Sequence, residues 1–203
     1  MSARFDTIWY NASLATMTPN GTPYGAIADG AVGARDGRIA WVGARAELGA
    51  PPQALATDAI DAGGGWITPG LVDPHTHLVF GGDRVADFER RVAGQSYVAA
   101  AQGGSGIAHT VAMTRAADDA ALLDAAVRRL RVMAANGSTT VEIKSGYGLD
   151  VETELRLLRV ARRAGAAAGV EVRTTYLGAH VVPPEYAGRR EEYLAQPAPM
   201  SRH

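Results

Sequence analysis

Alternating strand and helix patterns in the second half of the chain constrain the fold most strongly. The apolar spacing and the capping residue Asp118 predict a helix over 118–136, which Asn136-Gly137 ends. A short β-branched strand follows at 139–143, a second helix at 151–168 and another strand at 170–177. This order is typical of βαβ units and predicts an α/β fold with a parallel sheet.

The length of this region limits how much of a closed barrel it can form. A (β/α)8 barrel takes about 250 residues for eight units. Residues 66–203 are therefore enough for roughly four units. We expect either a small open sheet or about the first half of a barrel.

Residues 1–65 have a different pattern and predict a separate small β region. A strand begins near Phe5, and Asp36-Gly37 between two apolar runs predicts a two-residue hairpin turn. Pro51-Pro52 and the glycines 63–65 mark the far end of this region. We therefore predict two domains, 1–65 and 66–203, with the pattern changing at Trp66.

Composition excludes several classes of protein. The 203 residues include 20 Lys and Arg against 21 Asp and Glu, without the basic excess of a nucleic-acid-binding protein. The absence of Cys excludes disulfides, cysteine zinc ligands and a thiol nucleophile. Because neither a membrane span nor a signal peptide is evident, we expect a cytoplasmic protein without membrane or nucleic-acid partners. The residues after Ala195 look like a frayed end.

The segment Asp73-Pro74-His75-Thr76-His77 carries the most specific chemical signal. Side chains at i and i+2 of a strand point to the same side, so His75 and His77 can bind one metal ion. Pro74 suits the end of a strand better than its centre. The carboxyl ends of parallel strands are where barrel enzymes keep their active sites. The sequence therefore predicts a metal site here.

These residues resemble the first barrel strand of the amidohydrolase superfamily and, more narrowly, the imidazolonepropionase family. The segments that carry the resemblance are ITPGLVDPHTH (67–77), HLVFGGDR (77–84), GGSGI (103–107), TTVEIKSGYGL (139–149) and YLGAH (176–180). The hairpin around Asp36-Gly37 resembles the superfamily's N-terminal β-sandwich. The resemblance implies a partial (β/α)8 barrel preceded by part of a composite β-sandwich.

The resemblance also implies a reaction and a set of residues. The family opens the cyclic amide of 4-imidazolone-5-propanoate with water, giving N-formimidoyl-L-glutamate in histidine degradation. His75 and His77 match two ligands of the family's one Zn²⁺ or Fe ion, and Arg84, Tyr147 and His180 match substrate-contacting positions. The third His ligand, the Asp ligand and the catalytic Glu belong to later strands. We therefore expect a truncated chain without a catalytic residue of its own.

Elementary chemistry is consistent with those roles. A bound divalent metal lowers the pKa of its water to about 7 and so supplies a nucleophile for amide hydrolysis. Arg84 offers a bidentate fork to the propanoate carboxylate. Glycines on both sides of Tyr147 leave room for a ligand, and His180 follows a strand. Taken without the resemblance, the sequence favours a solvated loop residue for Arg84, and Tyr147 can equally be a packed loop residue.

Several alternatives remain open at this stage. The chain can be another cyclic amidase or aminohydrolase of the superfamily, or an inactive fragment. It can also form a homodimer. We expect Lys144 to be structural or ion-paired, His109 to be peripheral and the glycine-rich stretch near 103–106 to be a substrate lid. If barrel strands are absent, the last strand present should expose a long apolar edge.

Overall fold

The computed structural model describes residues 4–94 and 106–196. The chain divides into two compact units, Met1–Pro69 and Gly70–His203, and each is described by itself. Among the described residues, no helix is long and apolar enough to cross a bilayer.

The first unit is a mixed five-stranded sheet. The strand order is β3-β2-β1-β4, and β5 also pairs with β1. Its elements are β1 (Phe5–Ala15), β2 (Ala26–Arg35), β3 (Arg38–Ala44), helix α1 (Pro52–Leu55), β4 (Ala56–Asp61) and β5 (Trp66–Ile67), with 3-10 turns at Pro23–Gly25 and Arg45–Leu48. β2 is antiparallel to both β1 and β3, whereas β4 and β5 are parallel to β1.

The hairpin predicted at Asp36-Gly37 joins β2 to β3. Asp36 has a φ of 53° and Gly37 a φ of 70°, so both central residues adopt the left-handed conformation that such a turn requires. The backbone N–H of Asp36 donates to the Asp6 carboxylate at 2.6 Å, which ties the turn to β1.

The start of the second unit differs from the expected position. Trp66 and Ile67 pair with Ser13 and Leu14 of β1, so they belong to the first sheet. The division between the compact units accordingly falls after Pro69. Apolar pattern alone does not say which sheet a short strand joins, because that depends on pairing with a strand far away in sequence.

The second unit has a parallel sheet with the order β6-β7-β8, as the βαβ pattern predicts. Its strands are β6 (Leu71–Thr76), β7 (Ser138–Lys144) and β8 (Glu171–Thr175). Its helices are α2 (Val85–Val92), α3 (Ile107–Ala116), α4 (Asp119–Ala135), α5 (Val151–Ala168) and α6 (Arg190–Leu194), with a 3-10 turn at Pro184–Tyr186.

Both long helices begin and end where the sequence predicts. The Asp118 carboxylate caps α4 by accepting the N–H of Ala121 at 2.7 Å, and Asp150 caps α5 through the N–H of Thr153 at 2.8 Å. Gly169, with a φ of 70°, ends α5.

The buried face of α4 is shifted from the expected one. Leu123, Val127, Leu130 and Ala134 recur at helical spacing in the sequence, which predicts that they share the apolar face of this helix. The structure buries Leu122, Ala126 and Leu130, leaves Leu123 and Val127 half-buried and exposes Ala134. The apolar stripe of an Ala-rich helix is wide, so its centre is poorly defined by sequence.

The core of the second unit lies between the sheet and helices α4 and α5. Its most deeply buried members are Leu122, Leu130, Val141, Ile143, Leu157 and Val160. Val141 and Ile143 alternate along β7 with Glu142 and Lys144, so one face of the strand packs on helices and the other carries charge.

The expectation of an apolar edge on the last strand is wrong. β8 reads Glu-Val-Arg-Thr-Thr, and its edge is polar. The exposed apolar residues lie on the other edge strand, β6, where Leu71 is 58% and Val72 63% exposed. The reason is compositional, since β6 carries the apolar Leu-Val pair and β8 does not.

Candidate metal and substrate site

His75 and His77 lie at the carboxyl end of β6. His75 is an exposed residue of the strand, and His77 follows directly after the strand ends at Thr76. The centres of the two rings are 5.7 Å apart. This is the proximity that the i, i+2 spacing predicts for two side chains on one side of a strand.

Tyr147 and His180 come to the same place from the ends of the other two strands. The centre of the His77 ring is 5.2 Å from that of Tyr147 and 4.6 Å from that of His180. The Tyr147 and His180 rings are 6.0 Å apart. Residues distant in sequence therefore form one ring cluster, consisting of His75, His77, Tyr147 and His180, at the carboxyl edge of the sheet.

His180 reaches the ring cluster from a turn, not from a strand. The predicted strand 170–177 ends at Thr175, and the N–H of His180 donates to the carbonyl of Leu177 at 3.2 Å. The position past the carboxyl end of β8 is as expected, but the strand ends two residues earlier than predicted. The turn folds His180 back over the strand ends.

The environment of His77 suits a metal ligand. Both of its ring nitrogens are buried, and within residues 4–94 and 106–196 neither makes a hydrogen bond of complete geometry, although the backbone of Ser145 lies near enough to act on the pKa of the ring. Burial, followed by the nearby charge of His180, lowers the pKa of His77 below its ordinary value. A neutral imidazole with an unoccupied nitrogen is the form that binds zinc or iron.

The ligand set is incomplete within the part of the chain that the structure describes. Residues 4–94 and 106–196 contain no group of three or more His, Cys, Asp or Glu side chains that could hold a metal ion. Catalytic zinc sites usually have three protein ligands and one open position. His75 and His77 therefore fit as part of such a set.

Gly146 lets the loop after β7 approach the imidazoles closely. Its φ is 120°, and a β-carbon at this position would lie 3.1 Å from Cε1 of His77 and 3.2 Å from Cβ and Cγ of His180. A side chain here would press on both rings. The Gly-Tyr-Gly sequence is thus required by close packing at its first glycine.

Arg84 does not join the ring cluster but shares a cavity with Tyr147. Its Nε donates to Oγ1 of Thr110 at 2.8 Å. The cavity has a volume of about 500 Å³ and is lined by Phe80, Asp83, Arg84, Thr110, Arg129 and Tyr147. Because Tyr147 belongs to both the cavity and the ring cluster, a ligand in the cavity would lie beside His77.

Arg129 is a cavity residue that sequence analysis missed. Its guanidinium stacks on Phe80, with Cζ 3.5 Å from the ring centre, and donates to the carbonyls of Leu78 and Phe80 at 3.0 Å. It therefore fixes the segment that follows His77. Nothing in the helical pattern of 118–136 separates Arg129 from its solvated neighbours Arg128 and Arg131.

Lys144 is ion-paired, as expected. Its Nζ lies 2.6 Å from Oε1 of Glu142, and both side chains are 17% exposed. Burial acts to raise the pKa of Glu142, but hydrogen bonds from Lys144 and Thr175 outweigh it and the net pKa is lowered. The pair gives the inner face of β7 a nearly neutral polar lining beneath the imidazoles.

The remaining sequence features are His109 and the glycine-rich stretch near 103–106. His109 is exposed on α3 and has no contact with the ring cluster. The glycine-rich stretch suggested as a substrate lid lies mostly outside the described residues, which resume at Gly106.

Comparison with known proteins gives close sequence relatives. No family model matches the chain. The chain is 55% identical over 191 residues to imidazolonepropionase of Ralstonia nicotianae, covering 94% of the chain and 46% of the relative. It is 53% identical over 194 residues to imidazolonepropionase of a Bradyrhizobium species, covering 96% of the chain and 48% of the relative. The chain thus spans about half the length of these relatives.

Solved structures share the fold at low sequence identity. Ochratoxinase of A. niger superposes with a TM-score of 0.50 at 20% identity, over 85% of this chain and 31% of that one. A triazine hydrolase of Arthrobacter aurescens gives a TM-score of 0.51 at 16% identity, over 84% and 35%. A mutant atrazine chlorohydrolase from the same species, complexed with zinc and atraton, gives 0.50 at 16%.

These superpositions show that the chain shares part of the fold of these enzymes, and its three parallel strands with their helices fit the partial barrel predicted from the sequence. The sequence relatives define the family more narrowly than the fold does. Over nearly all of its length, and over about half of theirs, the chain is a homologue of the imidazolonepropionases.

Proposed function

We propose that the chain provides the first part of an imidazolonepropionase, which opens 4-imidazolone-5-propanoate with water to give N-formimidoyl-L-glutamate in histidine degradation. One observation carries the proposal. The buried imidazole of His77, whose ring nitrogens make no hydrogen bond of complete geometry within the described residues, lies 5.2 Å, ring centre to ring centre, from Tyr147, which also lines the cavity containing Arg84. A metal-binding group and a carboxylate-binding group thus share one edge of the sheet.

In this proposal His75 and His77 would hold one zinc or iron ion, together with ligands from the part of the longer relatives that this chain does not span. When bound, the metal would supply a hydroxide-like water at neutral pH. The buried, neutral His77 is suited to metal binding without first releasing a proton. Zinc in the atrazine chlorohydrolase neighbour supports the choice of ion.

The cavity residues would bind and orient the substrate. Arg84 would bind the propanoate carboxylate, because its Nε is held by Thr110 and its terminal nitrogens make no hydrogen bond to the residues that the structure describes. The Tyr147 hydroxyl and the His180 imidazole would hydrogen-bond the imidazolone ring from the side of His77. Phe80 and the Arg129 stem give the cavity an apolar wall.

The same proposal assigns roles to the two units. The first unit, Met1–Pro69, would form part of a composite β-sandwich, and the second, Gly70–His203, would form about the first half of the barrel. Water and the small-molecule substrate would be the partners in a cytoplasmic enzyme. A homodimer is an additional assembly that the family relationship suggests.

A chimera tests the proposal directly. This chain replaces the 191 matched residues of the Ralstonia nicotianae imidazolonepropionase, and ring opening of 4-imidazolone-5-propanoate is assayed against dihydroorotate, hydantoin and guanine. We expect turnover of the imidazolone alone, lost in the His77→Ala chimera. Turnover of another substrate would favour a different cyclic amidase or aminohydrolase. A folded chimera without any turnover would favour a non-catalytic chain.

A further inference from the structure

A buried carboxylate on α5 lies outside every role assigned so far. Glu154 is in the first turns of the helix, and its side chain is fully buried, with 0% exposed. Removing an ionised carboxylate from water is costly unless hydrogen bonds replace the lost solvation. Its partners therefore indicate what the side chain is for.

The partners are three backbone N–H groups of the loop between β7 and α5. Oε2 accepts from Gly146 at 2.5 Å, and Oε1 accepts from Gly148 at 2.7 Å and from Leu149 at 2.6 Å. Among the described residues no cation pairs with Glu154. All of its hydrogen bonding is thus spent on one short loop.

That loop carries Tyr147 and lies against the imidazoles of His77 and His180. The backbone of Gly146 is so close to His77 and His180 that a β-carbon would lie 3.1 Å and 3.2 Å from their ring atoms. Tyr147 lies between two of the amides that Glu154 holds. A shift of the loop would therefore move Tyr147 and change the packing around both His rings.

A second contact holds the loop from its other side. Nε of Arg115 donates to the carbonyl of Gly148 at 2.6 Å, and the same guanidinium pairs with Asp150 and Glu185. Gly148 is thus held through its N–H by Glu154 and through its carbonyl by Arg115. The loop is fixed by charged groups of both signs before any ligand binds.

We propose that Glu154 is a positioning residue, whose carboxylate holds residues 146–149 so that Tyr147 and His180 face His77. The inference rests on the proposed function for the meaning of the ring cluster. The hold of Glu154 on residues 146–149 follows from the three hydrogen bonds alone. An amide cannot replace the carboxylate, because a Gln side chain offers one acceptor atom where three N–H donors converge from two sides.

The test compares two substitutions on the same turn of α5, made in the full chain without metal. Glu154→Gln removes the charge from the buried site, and Glu152→Gln makes the same change at an exposed position. We expect Glu154→Gln to speed amide hydrogen exchange at Gly146, Gly148 and Leu149 by roughly ten- to a hundredfold. The NMR ring signals of His77 and His180 should shift, while those of His109 and the methyl signals of Leu130 stay in place.

Glu152→Gln should leave all of these signals unchanged. Ring signals of His77 and His180 that are unaffected by Glu154→Gln in a folded protein would overturn the proposal. If Glu154→Gln does not fold, hydrogen exchange in the unsubstituted chain tests the proposal instead. Fast exchange at the amides of Gly146, Gly148 and Leu149 would then overturn it. Since these measurements use no metal, an absent response to zinc would overturn the proposed function and leave the positioning result standing.

Discussion

At the scale of single residues, the candidate site depends on close approach as much as on chemical groups. The ring nitrogens of His77 are buried, and the atoms nearest to a β-carbon added at Gly146 are those of His77 and His180. The site therefore has a tightly packed loop on one side. The other side of Tyr147 opens on the cavity with Arg84.

Replacing Gly146 by Ala should disturb the ring cluster. The substitution places a β-carbon against two imidazoles and a side chain at a φ of 120°, at a cost of about 1–3 kcal/mol in the free energy of unfolding. Gly137→Ala is the matched control, because Gly137 has a φ of 94° but only ordinary contacts with Leu71. Chemical denaturation and the His ring signals check this. Equal ring shifts in both variants would contradict the packing argument.

Arg84→Met in the chimera should lower kcat/KM for 4-imidazolone-5-propanoate by about ten- to a hundredfold, because a charge-assisted hydrogen bond to the substrate is lost. Arg84→Lys should lose less, since it keeps the charge while giving up the fork. Steady-state kinetics measures both. An unchanged kcat/KM in Arg84→Met would mean that the side chain does not contact the substrate.

At the scale of elements, the sequence locates the helix ends and the parallel strands, but neither the buried face of α4 nor the sheet that Trp66-Ile67 joins. Asp118, Asp150 and Gly169 set helix ends through contacts within a few residues, so sequence suffices to find them. The pairing of Trp66-Ile67 with β1 depends on a contact between segments far apart in sequence. The hydrogen bonds of Glu154 to Gly146, Gly148 and Leu149 span only five to eight residues, but the helical pattern of 151–168 does not show that a Glu is buried there. The position of His75 and His77 was predictable because the period of a strand fixes it.

Leu130 on α4 provides a test of the helix face that the structure assigns. Its side chain is fully buried in the core cluster, whereas Val132 two residues later is 64% exposed. We expect Leu130→Ala to lower the free energy of unfolding by about 2–5 kcal/mol. Val132→Ala should change it by less than about 0.5 kcal/mol. Urea denaturation measures both, and similar values would contradict the assigned face.

The short helix α6 should give the second unit an alkaline limit of stability. Burial raises the pKa of Tyr193 to about 12, and its hydroxyl donates to the carbonyl of Gly178. A tyrosine in the unfolded chain titrates near pH 10. The stabilisation is therefore fully present below about pH 10 and is lost as the pH rises toward 12.

Tyr193→Phe tests this directly. At neutral pH the variant should be less stable by about 0.5–1.5 kcal/mol, because a hydrogen bond is lost. The difference from the unsubstituted protein should shrink between pH 10 and 12. Tyr24→Phe, at a position 69% exposed, is the control. A difference that stays constant through this pH range would contradict the assignment.

At the scale of the whole molecule, the open edge of β6 is the main liability. Among the strands that the structure describes, β6 pairs with β7 alone, and Leu71 and Val72 are largely exposed. Unpaired strand edges with apolar side chains promote association between chains. The order of strands along the chain predicts an apolar edge on the last strand, β8. The edge lies on β6 instead, because β6 carries Leu71 and Val72 whereas β8 is polar.

Val72→Lys should therefore reduce self-association of the chain. A charge on the edge strand opposes edge-to-edge pairing. Val132→Lys, on the exposed side of α4, adds the same charge away from the edge and should have little effect. Sedimentation velocity over a range of concentrations measures the difference. Equal self-association in the two variants would show that another surface is responsible.

In the proposed function, His75 and His77 together hold a divalent metal ion at the carboxyl end of β6. The most direct measurement is a zinc titration of the chain, followed by the NMR ring signals of its histidines. We expect the His75 and His77 signals to change together, with weak affinity for zinc because the ligand set is incomplete. The His109 signals should not respond, and His77→Ala should abolish the response of His75. His75 and His77 signals that stay unchanged at millimolar zinc, or a His75 response that survives His77→Ala, would contradict the proposed metal site.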